Sequence, residues 1–99
     1  MPAHNWVLRL TPLAEADLED IWRYTFDRWS LEQANQYHND LVATMQGLAR
    51  GDKIGRVCRV RDGYQQYAAG SHIPFYRETA RTLDVIRVLH QRMDIDRHL

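Results

Sequence analysis

The sequence predicts an α+β fold, and three observations carry that prediction. Two stretches repeat apolar residues at spacings of three and four, the first through Ala14, Leu18, Ile21, Trp22, Thr25 and Trp29, the second through Ala34, His38, Leu41, Met45 and Leu48, which is the signature of amphipathic helices. One alternating run precedes them. Several short runs rich in Val, Ile, Leu, Tyr and Phe follow, separated by glycine, as strands joined by turns are. The expected order is a strand, a helical hairpin, a three-stranded antiparallel meander and a short C-terminal turn of helix. With 99 residues, the chain suits one domain, residues 1–99, with a single modest core.

Asn5 to Leu10 alternates, with Trp6, Leu8 and Leu10 on one face, so a half-buried first strand is expected. Thr11-Pro12 then gives an N-cap and a proline at the first helical position, where its missing N–H costs nothing. Glu15, Asp17, Glu19 and Asp20 load the early turns with negative charge, which complements the helix dipole. The apolar stripe carries this helix to about Trp29. Ser30-Leu31-Glu32-Gln33 fits a capping box for a second helix, and Arg50-Gly51 ends it with a left-handed glycine. The stretch from Gly51 to Gly63 is basic and Gly-punctuated, with room for a short strand at Val57–Val60. Tyr64–Ala69 and His72–Arg77 read as strands around an Ala69-Gly70-Ser71 turn. Pro74 inside the second argues for an edge-like or irregular position. Leu83–His90 is the last strand, and its simple alternation places Leu83, Val85, Arg87 and Leu89 on one face and Asp84, Ile86, Val88 and His90 on the other. Apolar residues on both faces make it a central strand. Asp94 is placed to cap one final helical turn.

Composition narrows the function. No apolar run approaches the roughly 20 residues of a membrane helix, and the start of the chain lacks the basic and apolar regions of a secretion signal. A single cysteine, Cys58, forms no internal disulfide and fits a reducing compartment, so the cytoplasm is expected. The formal net charge of zero is unevenly divided: residues 1–49 hold three arginines against seven acids, and residues 50–99 hold ten bases against six acids. The helical half is therefore at −4 and the sheet half at +4. Nucleic-acid binders carry a clear positive excess, which this chain lacks. The histidines, His4, His38, His72, His90 and His98, include no i, i+4 pair, and one cysteine cannot complete a thiolate set; no metal or other cofactor is expected. Tyr24, Phe26 and Tyr37 fall off or beside the apolar stripes, as partner-contacting aromatics do.

The tail Val85-Ile86-Arg87-Val88-Leu89-His90-Gln91-Arg92-Met93-Asp94 resembles the strand and tail that end ParE-type toxins of bacterial toxin–antitoxin systems, within the RelE/ParE superfamily. Leu10 to Leu18, Ile21 to Thr25, and Gly63-Tyr64 with His72 to Arg77 resemble that family's opening, first helix and middle hairpin. The likeness covers nearly the whole chain. It implies a non-enzymatic toxin that binds DNA gyrase and is held in check by a small ParD-type antitoxin whose C-terminal segment folds onto it. On that basis the tail residues Arg92, Met93, Asp94 and Arg97 are the candidate target contacts. Arg56, Arg59, Arg61, Arg77 and Arg81 are the candidate antitoxin contacts, because a basic sheet suits acidic segments. Arg87 and His90 form the strand-end motif.

The superfamily's other branch cleaves messenger RNA on the ribosome, without metal. That chemistry needs a base, an acid and cations around one phosphate. His90 as base, Arg87 and Arg81 as cations and Tyr76 as proton donor are the candidates here. The structural alternative gives His90 a backbone hydrogen bond and pairs Arg87 with an acid such as Glu78. A chain that only binds its antitoxin is a third reading.

Overall fold

A computed structural model describes residues 6–99; Asn5, expected at the start of the first strand, and His4 lie outside them. Within these residues the order is β1 (Val7–Leu10), α1 (Pro12–Arg28), α2 (Leu31–Arg50), β2 (Arg56–Val57), β3 (Gln65–Gln66), β4 (His72–Glu78), β5 (Thr82–His90) and α3 (Ile95–His98). The strands form one sheet in the order β1-β5-β4-β3-β2, with β1 parallel to β5 and every other pair antiparallel. The expected meander is present, extended by β2 at one edge.

The two long helices begin on residues that the local chemistry favours, and α2 also ends on one. Thr11 Oγ1 accepts the Ala14 N–H at 3.0 Å and Ser30 Oγ accepts that of Gln33 at 3.0 Å. Gly51, at φ 84°, closes α2 in the left-handed conformation that glycine takes without a Cβ penalty. The hairpin then buries Ala14, Leu18, Leu41, Met45, Leu48 and Ala49 against Tyr76, Leu83, Val85 and Val88 on one sheet face. A smaller cluster of Cys58, Phe75 and Leu89 lies elsewhere in the sheet, packed by Tyr64, Ile73 and the tail residues Ile95 and Leu99. Cys58 is therefore a buried packing residue.

Three expectations change on contact with the tertiary structure. The alternation of β5 breaks at a bulge, where Phe75 opposes Arg87 but Tyr76 opposes Val85, leaving Ile86 as the extra residue. A bulge shifts side-chain parity, so Val88 joins Leu83 and Val85 in the helix-covered core while Leu89 enters the other cluster. Trp29, placed on the inner stripe of α1, is instead 70% exposed. It is the C-cap residue, directly before the N-cap Ser30, so the helix ends before the stripe returns to the core. Finally, β2 is Arg56–Val57 rather than Val57–Val60, and β3 is two residues long. Pro74 lies in β4 where β3 has ended. Its carbonyl accepts from Tyr67 at 3.4 Å, and its absent N–H would face the same side, beyond the end of the β3 ladder.

Candidate functional site

The end of β5 is organised by a residue 70 positions away. Where β1 stops, α1 takes over the exposed edge of β5. Thr11 donates its hydroxyl to the Ile86 carbonyl at 2.7 Å, and Asp17 Oδ2 accepts the Val88 N–H at 2.9 Å. The same carboxylate grips Arg87 through two parallel bonds, Nε to Oδ2 at 2.8 Å and Nη2 to Oδ1 at 2.9 Å. Bidentate charge-assisted pairing of this kind is strong and directional, and it raises the Arg87 pKa further. Arg87 Nη1 also donates to the His98 carbonyl at 3.0 Å, tying down the tail. The partner of Arg87 is Asp17, not Glu78, which accepts from Gln65.

His90 is the cross-strand neighbour of His72, and their rings meet edge to face with centroids 5.2 Å apart. Each has its Nδ1 occupied. His90 Nδ1 accepts the Arg92 N–H at 3.1 Å, the backbone bond expected of a strand-end histidine. The Tyr37 hydroxyl accepts the Ser71 N–H at 3.0 Å and shares a hydrogen bond with His72 Nδ1 at 2.6 Å. A neutral imidazole whose Nδ1 accepts carries its proton on Nε2, which is the tautomer the Arg92 N–H selects for a neutral His90. Burial, then the neighbouring His90, pushes the His72 pKa down from 6.5 to about 4, with Asp17 opposing. His72 is thus neutral at physiological pH. Among the described residues, no group of three or more His, Cys, Asp or Glu side chains could hold a metal ion.

These two histidines and Tyr37 lie at one side of a cleft of about 650 Å³ beneath the tip of the helical hairpin. Ile21, Tyr24, Thr25, Trp29 and Met93 form much of its remaining lining, with Asp20 the single acid or base of fixed charge among the described residues there. Among the candidate tail residues, Met93 enters this cleft and Arg92 is exposed beside it. Asp94 caps α3 through the Asp96 N–H, and its carboxylate pairs with Arg97 at 3.6 Å.

The basic residues collect at the other end of the sheet. Arg56 and Arg59 flank a groove of about 600 Å³ with Val57, Val60 and Gln66. The Arg61 and Arg77 guanidiniums lie over the Tyr64 ring, 5.9 and 5.5 Å from its centroid, within cation–π range. Ile54 and Val57 beside them are 84% and 72% exposed. Arg81 does not join this group. It sits on the β4–β5 turn, where its carbonyl accepts from Val7 of β1 at 2.8 Å.

The four residues that RNA cleavage would require are scattered. Tyr76 is buried, its hydroxyl packed against Gly55, and burial with Glu78 pushes its pKa up to about 12. Arg87 is locked by Asp17. Arg81 precedes β5 and His90 ends it, roughly 30 Å apart at the rise of an extended strand. Sequence reasoning missed Asp17 and Tyr37 as organisers. Asp17 sits among other helix-start acids and Tyr37 beside a helical stripe, and neither position hints at a partner on a distant strand.

Comparison with known proteins follows the same lines. Residues 8–95 match the family model described as ParE toxin of type II toxin-antitoxin system, parDE. The chain is 51% identical over 92 residues to Toxin ParE1 of Mycobacterium tuberculosis, covering 91% of this chain and 94% of that one. It is 45% identical over 92 residues to Toxin ParE1 of Caulobacter vibrioides, covering 92% and 95%. The chromosomal ParDE system of P. aeruginosa superposes with a TM-score of 0.78 at 20% identity, over 88% of this chain and 97% of that one. The RelBE2 complex of M. tuberculosis gives 0.56 at 20% identity, over 91% and 95%, and a mutant of YafQ from E. coli gives 0.56 at 15%, over 87% and 93%. These structural likenesses establish the fold, and the sequence matches establish the family: the chain belongs to the ParE toxins of type II toxin–antitoxin systems.

Proposed function

We propose that the chain inhibits DNA gyrase by binding alone, and that a ParD-type antitoxin neutralises it. The observation that carries the non-catalytic reading is the Arg87–Asp17 lock. The one guanidinium in the strand-end motif is already bidentately satisfied, so Arg87 is not free to hold a scissile phosphate at His90. Tyr76 is out of reach of any substrate, which removes the acid. Target contact falls to the tail, with Arg92 and Met93 exposed and Asp94 and Arg97 paired with each other.

The antitoxin surface is the β2 edge. An edge strand offers unpaired backbone groups to an added strand. Arg56, Arg59, Arg61 and Arg77 around it suit an acidic segment, Ile54 and Val57 suit its apolar residues, and Arg81 is an outlying contact.

The test is supercoiling by purified gyrase with the free chain, with the chain plus antitoxin, and with neither. Inhibition that the antitoxin relieves is expected. No inhibition at a several-fold molar excess overturns the reading. So does cleaved message in a translating extract that a His90→Ala variant fails to produce.

A further inference from the structure

We infer that the cleft beneath the hairpin tip is the anchor pocket for a cationic side chain, arginine or lysine, presented by a segment of the target protein; this deepens the target-binding reading above and rests on it. The cleft joins two regions distant in sequence, the end of α1 and the tail, so that Met93 lies in one lining with Tyr24 and Trp29. Trp29 and Tyr24 are 70% and 61% exposed. Large aromatics left open around a concavity are the usual anchors of an interface.

The charge pattern selects the occupant. Among the described residues of the lining, Asp20 alone carries a fixed charge, and no arginine or lysine contributes. Asp20 is lightly engaged, since Arg23 approaches it at 3.9 Å while bonding Glu19 at 2.8 Å. His72 adds no opposing charge. Around the tip, residues 19–36 carry four acids, Glu19, Asp20, Asp27 and Glu32, against Arg23 and Arg28, a net −2 that the exposed Arg92 of the tail brings to −1. Arg28 already stacks over the Tyr24 ring at 5.5 Å from its centroid, so the chain's own guanidinium displays the contact that an incoming one makes on Trp29. Aromatic walls with one carboxylate favour a cation and disfavour an acidic segment. The acidic antitoxin is thereby steered to the β2 edge, and a basic surface, which a DNA-handling enzyme carries, is drawn to the cleft. A second copy would bring the same net negative tip, which does not complement it.

Two arms test this on the full free chain. In the first, acetyl-Gly-Arg-Gly-Arg-Gly-amide, its lysine version and its glutamate version are titrated while the Trp29 indole N–H and the His72 and His90 ring signals are followed by NMR. Saturable shifts confined to cleft residues are expected with the basic peptides, lost in Asp20→Lys. No shift, or equal shifts with the glutamate peptide, overturns the proposal. In the second, Trp29→Ala and Asp20→Lys are compared with the parent chain for gyrase inhibition, antitoxin affinity and thermal midpoint. Each is expected to raise the half-inhibiting concentration about tenfold, the scale of an interface anchor, with antitoxin affinity and midpoint held. Unchanged inhibition by both variants, improved inhibition by Asp20→Lys, or self-association of the parent chain abolished by Asp20→Lys overturns the pocket and leaves the gyrase reading standing. Peptide binding by a chain that leaves gyrase untouched overturns the gyrase reading and leaves the pocket.

Discussion

The cleft under the hairpin tip and the β2 edge are built from the same sheet and carry opposite chemistry. One is aromatic with a lone carboxylate; the other is an open backbone edge with four arginines and exposed aliphatic residues. A formal charge of zero therefore describes neither surface. Opposite fields on separate faces let a small protein discriminate between basic and acidic partners. The two regions also differ in how they are held. The cleft rests on long-range polar bonds, Asp17 to Arg87 and Val88, and Tyr37 to Ser71 and His72. The edge rests on two-residue strands and ring stacking.

That contrast can be broken, most severely at Asp17. Asp17→Ala leaves a part-buried guanidinium and the Val88 N–H without their acceptor, and is expected to cost about 2–3 kcal/mol of stability, read as a lower urea midpoint. Gly55→Ala strikes the other region. An added Cβ would collide with the Tyr76 hydroxyl and the Gln66 carbonyl, so a loss of about 2 kcal/mol is expected, with antitoxin affinity falling more than gyrase inhibition. Tyr37→Phe removes the hydroxyl shared by His72 and Ser71 and should cost about 1 kcal/mol, seen as faster hydrogen exchange at Ser71 with the β2 edge unchanged.

A pH series sharpens the comparison because His72 belongs to the cleft alone. Its folded pKa of about 4 lies below the 6.5 of the unfolded chain, so between those values the unfolded state binds the extra proton. His72's contribution is complete above pH 6.5 and is lost as the pH falls towards 4. The slope is bounded by one proton, about 1.4 kcal/mol per pH unit, and solvent at the half-buried ring reduces it. Urea midpoints across this range should fall in the parent chain and flatten in His72→Gln. The smallest effect is at the edge: Arg61→Ala or Arg77→Ala should weaken antitoxin binding by about 0.5–1 kcal/mol at low salt, less at high salt, with gyrase inhibition unmoved.

Local chemistry wrote much of this fold into the chain. Thr11, Ser30, Gly51 and Asp94 cap the helices as local chemistry dictates, and the apolar spacings named Ala14, Leu18, Ile21, Leu41, Met45 and Leu48 of the hairpin core, while Trp22, Thr25, Trp29 and His38 of the same stripes stay outside it. Short-range rules suffice there because a cap or a stripe involves residues within a turn of each other. What tertiary structure decided lies at longer range. The bulge at Ile86 changed which side of β5 Val88 and Leu89 serve, and α1 replaced β1 along that strand's edge. Asp17, read from the sequence as a helix-dipole acid, became the clasp for Arg87. The proposed arginine set divided, with Arg81 left apart, because a turn separates it in space from neighbours close in sequence. A hydrogen bond spanning 70 residues leaves no periodicity to read; it exists only once the sheet and hairpin have brought both ends to within 3 Å.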